Sequence, residues 1–350
     1  MVNFGIIYAI GNMVLSGVAA VIYKSQTDKI KPIAMVLIQT ITSAVSFLIL
    51  IAIMGDFLEM FRIPWQAFLP LISAAIMGII IGNFLYLTSM QFVGLTIAYP
   101  IAMTYPLLTY VYEIIIFDAV FDWLKFLGIM LIIGGVVTIS FSQRNDITPE
   151  RDELPNIKST SDKDNTNDSI LLNPKFEQLE PKILVETEKS EKTGRKLSQL
   201  IENKKLLGVI FALLATVTWA TGTTLIKIGL DRTEIDIIPI SGARMTLLLP
   251  ITFTLFLATK KKTNHYKFSW KAVSFVILGA LIGLFASNIF YLKSIDILDG
   301  TSTPAAIAAS GPLITMPLSM LFLKEKVDWK ILLGTILTIG GNALVILNII

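Results

Sequence analysis

Residues Gly78 to Ser89 read GIIIGNFLYLTS, and residues Gly283 to Ser294 read GLFASNIFYLKS. The glycine, the asparagine, the Tyr-Leu pair and the final serine recur at the same spacing. Working outward, Thr96 answers Thr301, and after a shift of one residue Pro106-Leu107 answers Pro312-Leu313. Asp122-Trp123 answers Asp328-Trp329, and Gly134-Gly135 answers Gly340-Gly341. Upstream, Gly5, Ala9, Val14 and Lys24 answer Gly208, Ala212, Val217 and Lys227. The chain is one unit written twice. Both copies are apolar enough for a bilayer, and two such copies facing each other suggest a device that moves something across it.

The composition agrees. Of the 350 residues 54% are hydrophobic and 16% charged, with mean hydropathy +0.70, where a soluble domain carries about 25% charged residues. Nearly half of the charged side chains crowd into residues 144–205, so the remainder is almost bare of charge. Net charge is +3. Its basic residues stand at the ends of apolar runs, where membrane proteins keep them, which argues against a nucleic-acid partner. The chain has no cysteine, hence no disulfide and no thiolate metal site. The first apolar run lacks a basic leader and matches residues 208–227, so we read it as a retained helix.

A spanning helix needs about 20 mostly apolar residues. Ten runs qualify: 4–23, 33–54, 67–89, 94–116 and 123–142 in the first copy, and 206–226, 237–258, 270–292, 302–323 and 329–348 in the second. The expected fold is all-α and integral to the membrane, with residues 1–143 and 204–350 as five-helix repeats. Residues 144–203 are polar, charged and punctuated by proline, which reads as a disordered linker. Five is odd, so the second copy enters the bilayer from the opposite side and the repeats are inverted. We name the side with both termini face A. Loops on face B, including Lys24, Lys29, Lys31, Lys260 to Lys262, Lys267, Lys271, Lys324, Lys326 and Lys330, hold most of the lysines outside the linker. The positive-inside rule then places face B and the linker in the cytoplasm of a cell-membrane protein, and the termini outside.

Several polar residues stand where lipid would reject them. Asn83 with Tyr86, and Asn288 with Tyr291, are three apart and share a helix face. They can line a cavity, or join helices by hydrogen bonds. Arg244 lies near the middle of the seventh run, where arginine costs about 2.5–3.5 kcal/mol. It is a candidate ligand for an anionic or carboxylate group, and its counterpart is the neutral Gln39. Glu113, opposite Ser319 in the repeat, is a candidate ion-pair partner of Arg244 or a proton-coupling carboxylate. Pro100 and Pro106, and Pro304, Pro312 and Pro317, predict bent fourth and ninth helices, with Tyr99, Tyr105 and Ser310 beside them on a polar path. Gly128 and Gly135, like Gly334 and Gly341, share a face and predict close packing or a homodimer through the fifth and tenth helices. The single histidine, His265, sits in a basic loop, which excludes an intramembrane histidine relay. No phosphate loop, zinc-protease motif or nucleophile elbow occurs, so neither ATP hydrolysis nor hydrolytic catalysis is expected.

The stretches Thr218-Trp219-Ala220 with Lys227, Arg244, Tyr291-Leu292, Gly311-Pro312-Leu313, Leu323-Lys324-Glu325-Lys326-Val327, Gly334 and Gly340-Gly341 together resemble the drug/metabolite transporter superfamily, specifically its EamA-like exporters. The first copy departs, with Ser16-Gly17 in place of the tryptophan step, and the long linker is unusual. The resemblance implies a secondary transporter working by alternating access on a small solute such as an amino acid, nucleotide derivative, sugar or drug. It implies no cofactor, and it places the third, fourth, eighth and ninth helices around a central cavity. Members of such families are often drawn with cytoplasmic ends, against the lysine distribution here. The competing readings are a membrane enzyme for lipid-linked substrates, for which clustered acids or histidines are missing, and a non-transporting scaffold whose linker binds a partner.

Overall fold

The computed structural model describes residues 2–27, 29–93, 98, 101–143, 180–260, 269–298, 300–323 and 329–347. Residues 1–146 and 207–350 form one compact unit, and 147–206 a second. Tyr99, Pro100, His265 and residues 144–179 of the expected linker lie outside the described residues. The backbone of 180–203 is helical.

Among the described residues every regular element is helical. The helices are α1 (Val2–Lys24), α2 (Pro32–Met54), α3 (Trp65–Ala75), α4 (Asn83–Val93), α5 (Tyr105–Ile116) and α6 (Trp123–Gln143) in the first half. The second half holds α7 (Glu180–Leu230), α8 (Ile237–Lys260), α9 (Trp270–Ala280), α10 (Ser287–Leu298), α11 (Ser302–Ala309), α12 (Pro312–Leu323) and α13 (Trp329–Leu347). Lipid supplies no hydrogen-bond partners, so a long apolar run closes its backbone bonds upon itself. Among the described residues six stretches are long and apolar enough to cross a bilayer: Phe4–Lys24, Pro32–Met54, Trp65–Val93, Lys205–Leu230, Ile237–Thr259 and Trp270–Leu298. The shorter Tyr105–Ile116, Trp123–Thr138 and Leu332–Leu347 are apolar as well. The surface is inverted relative to a water-soluble protein: Ile53, Leu321 and Ile336 are exposed, whereas Asn12, Gln39, Glu113 and Arg244 are buried. Trp65, Trp123, Trp270 and Trp329, which open α3, α6, α9 and α13, are all at least 67% exposed, as interfacial anchors are.

The stretch that reveals the duplication has the same unusual conformation twice. Ile76–Gly82 joins α3 to α4 as π-helix, and Leu281–Ala286 joins α9 to α10 in the same way. Such segments widen a helix and weaken its internal bonding. In each copy another helix donates a bond to one of the loosened carbonyls. Trp219 Nε1 donates to the Gly78 carbonyl at 3.2 Å, and Ser43 Oγ to the Leu284 carbonyl at 3.1 Å. The helices run on to Val93 and Leu298, beyond the expected 89 and 292, because polar Gln91, Lys293 and Asp296 continue the turn pattern after the apolar run ends.

The predicted bends prove to be breaks. The chain leaves helix at Met103-Thr104 and resumes at α5 with Pro106 in its first turn. In the second copy it leaves helix at Ser310-Gly311 and resumes with Pro312 at the start of α12. Proline tolerates a first turn, where its missing N–H has no intrahelical partner to lose.

The two copies interlock. α1 packs on α10, α2 on α8, and α6 on α13. A Cβ on Gly5 would lie 2.6 Å from Leu298, and one on Gly208 2.5 Å from Val93, which is the same contact in both copies. The glycines singled out for a homodimer meet each other within one chain. A Cβ on Gly128 would sit 2.8 Å from the Gly341 carbonyl, and one on Gly135 2.5 Å from the Gly334 carbonyl. These faces are thus occupied by the α6–α13 seam, because only glycine lets the two backbones approach this closely. Gly134 has nothing within 4 Å of its would-be Cβ. Gly135→Ala is therefore expected to lower thermal stability in detergent by about 1–3 kcal/mol, and Gly134→Ala to leave it unchanged, as read by scanning fluorimetry of the two purified variants.

Candidate functional site

Where the copies cross they enclose a cavity of about 280 Å³. Its lining is built from equivalent pairs, one member from each copy: Gly78 and Gly283, Ile79 and Leu284, Asn83 and Asn288, Tyr86 and Tyr291, Gln39 and Arg244. The π segments place these residues. By widening the helix just before Asn83 and one residue before Asn288, they set the rotation at which each Asn–Tyr face meets the space between the copies.

Six residues expected at a site line this cavity: Asn83, Tyr86, Tyr105, Arg244, Asn288 and Tyr291. Asn288 Nδ2 is 3.4 Å from Ser241 Oγ, and the Tyr291 hydroxyl shares a 2.8 Å hydrogen bond with Thr223 Oγ1. Ser310 does not line it. Its hydroxyl donates to the Ala306 carbonyl at 3.2 Å and accepts from Asn342 Nδ2 at 2.6 Å, which turns it toward α13. Glu113 is also elsewhere. Its Oε1 binds Lys125 Nζ at 3.0 Å and its Oε2 accepts the Ser302 N–H at 2.9 Å. The expected pairing of Glu113 with Arg244 is thereby corrected: its cation is Lys125, in the first turn of α6.

Arg244 is 2% exposed. Nε donates to the Leu71 carbonyl at 3.1 Å, while Nη1 has no hydrogen-bond partner among the described residues. No described carboxylate pairs with it. A buried guanidinium with an unused donor at a cavity wall carries a desolvation cost that a hydrogen-bond acceptor in the cavity would offset.

Other lining residues were not singled out as ligands from sequence. Tyr23, Asn12 and Ser287 come from helices whose buried faces look like ordinary packing in one dimension. Ser287 Oγ donates to Asn12 Oδ1 at 2.6 Å, tying α10 to α1. Trp219 meets Tyr86 at a tilt and Tyr105 edge-on, with ring centroids 5.1 and 6.1 Å apart, and a Cβ on Gly82 would lie 2.6 Å from its ring. Its counterpart is Ser16, so one wall carries an indole where the other carries a hydroxymethyl group. Among the described residues no cluster of three or more His, Cys, Asp or Glu is placed to hold a metal.

The model of the EamA-like transporter family matches residues 3–141 and 206–347, one stretch for each copy. The chain belongs to the EamA-like transporter family. This EamA-like protein is accordingly a multi-pass membrane transporter of small solutes, not an enzyme family member. No curated protein matches it. A solved structure described as "Crystal structure of protein" is similar over 97% of this chain and 95% of its own, with TM-score 0.66 and 13% identity. At that identity the likeness concerns the fold alone.

Trp219 holds the first π segment in place through a bond that phenylalanine cannot make. Trp219→Phe should cost about 0.5–1.5 kcal/mol of stability, visible as a lowered detergent melting temperature. An unchanged melting temperature would show that the Gly78 carbonyl is satisfied without the indole.

Proposed function

We propose that this EamA-like protein is a secondary transporter that carries a small, carboxylate-bearing metabolite by alternating access, as an exporter or exchanger. The observation that carries this reading is the unused Arg244 donor in a cavity lined by both copies. In this reading the chain spans the membrane ten times, as two inverted repeats of five. α3 with α4, and α9 with α10, are the third and eighth spans, and the broken α11–α12 pair is the ninth. Trp65 and Trp123 then mark face A, and Trp270 and Trp329 face B. Face B and the linker are cytoplasmic by the lysine distribution, with the termini outside.

The cavity residues divide the work. Arg244 binds the carboxylate, and Asn83, Asn288 and Tyr291 orient the remainder of the solute by hydrogen bonds. Tyr86, Tyr105 and Trp219 contact its apolar body, and Tyr99 belongs to the same proposed set. Because the lining is paired, exchange of conformation between the copies exposes the same residues to either face. Substrate shifts that exchange only as far as it binds one conformation better than the other.

Reconstitution into liposomes with labelled carboxylate, amine and neutral metabolites tests the proposal. Flux is expected for carboxylates. Arg244→Gln, which makes the second copy match Gln39 of the first, should weaken carboxylate binding by about 10- to 100-fold while the melting temperature stays near that of the parent. Normal carboxylate flux by this variant would remove Arg244 from the site. Deleting residues 146–200 and bridging the halves with a flexible spanning linker should leave flux largely intact. Loss of flux in a well-folded deletion would favour a role for the linker.

A further inference from the structure

We propose that Glu113 is the latch of a one-sided gate, holding the cavity shut toward face A by gripping the start of α11. The proposal rests on the alternating-access reading.

The grip joins the copies. Glu113 lies one turn from the end of α5 in the first copy, is 9% exposed, and accepts the Ser302 N–H at the first turn of α11 in the second. Lys125 completes the arrangement from α6. Gly300 passes so close that a Cβ there would lie 3.1 Å from Glu113 Oε1. A carboxylate on a helix N-terminus is a charge-assisted contact that the helix dipole strengthens.

Both gripped pieces reach the cavity at their other ends. α11 is an eight-residue segment, buried except at Ala308, and Ala308 lines the cavity just before the break at Ser310-Gly311. α5 begins after the break at Met103-Thr104, and Met103 and Tyr105 line the cavity. Each half-helix is thus hinged near the cavity and latched at its far end, so releasing Glu113 frees both walls.

The two latch residues are not repeated in the sequence. The counterpart of Glu113 is Ser319, and the counterpart of Lys125 in the Asp328-Trp329 repeat is Ile331. The cavity is lopsided in the same sense. Leu87 and Met90 line it, whereas their counterparts Leu292 and Ile295 are fully buried in a cluster with Ala67, Leu71 and Leu230. Closure falls on the side of Glu113.

The chain has no cysteine, so Ala20→Cys, at the cavity wall, gives a single reporter without further changes. In oriented proteoliposomes a membrane-impermeant maleimide is applied to one face at a time. Glu113→Gln is expected to raise labelling from face A about tenfold relative to face B, equivalent to about 1.4 kcal/mol, and Lys125→Gln to move the ratio the same way by less. Lys125→Gln leaves the Ser302 contact in place and serves as the readout should Glu113→Gln fail to insert. An unchanged ratio in variants of normal melting temperature overturns the latch. So does an equal rise from both faces, which reports loosened packing. If carboxylate substrate alters the ratio in the parent but neither variant does, the latch fails and alternating access stands. Labelling of the parent from a single face under every condition sinks both.

Discussion

Lipid offers no hydrogen bonds, so each place where the backbone departs from α-helix must be answered by a group from elsewhere in the protein. This requirement accounts for most of what is particular to the structure. The two π segments loosen their carbonyls, and Trp219 and Ser43 reach across from other helices to bind them. The break before α11 leaves an N-terminus inside the protein, and Glu113 reaches it from the opposite copy. Each departure thereby becomes a tie between the repeats. Two of these ties, at the Gly78 and Leu284 carbonyls, lie at the wall of the cavity.

Symmetry and its failures have different physical roles. Where the copies agree, they describe frame: glycines that admit a close crossing, π segments that aim the Asn–Tyr pairs, prolines that restart a broken helix. Where they differ, the cavity acquires chemistry and direction. Arg244 opposite Gln39 gives the wall a single cation, and Trp219 opposite Ser16 gives it an indole on one side. Glu113, whose counterpart in sequence is Ser319, places a charge-assisted tie at one end. A perfectly repeated sequence would bind without polarity, since equivalent states would have equal energy.

Much was legible in one dimension. Apolar length marked the helices, and the recurrence of Gly78–Ser89 at Gly283–Ser294 aligned them. Asn83, Tyr86, Tyr105, Arg244, Asn288 and Tyr291 stood out as polar groups in apolar runs, and all six line the cavity. Ser310 was indistinguishable by the same criterion, yet it turns to Asn342. A serine's hydroxyl can return to its own helix or to a neighbour, and sequence does not say which neighbour is near. The partner of Glu113 was misjudged for a related reason: Lys125 lies across a turn whose path, not its length, brings the two together. The glycine faces of α6 and α13 signalled close contact without revealing that each was the other's partner.

By itself the sequence determined that the chain is helical, apolar and duplicated, because hydrophobic length and internal repetition are properties of a linear string. It also determined which polar groups must find company, since burial in lipid is costly whatever the arrangement. Only the tertiary structure decided which company they keep. Contacts such as Trp219 with Gly78, Ser287 with Asn12 and Glu113 with Ser302 join residues far apart in the chain. They depend on how two copies cross, and a crossing is a relation in space that periodicity does not encode.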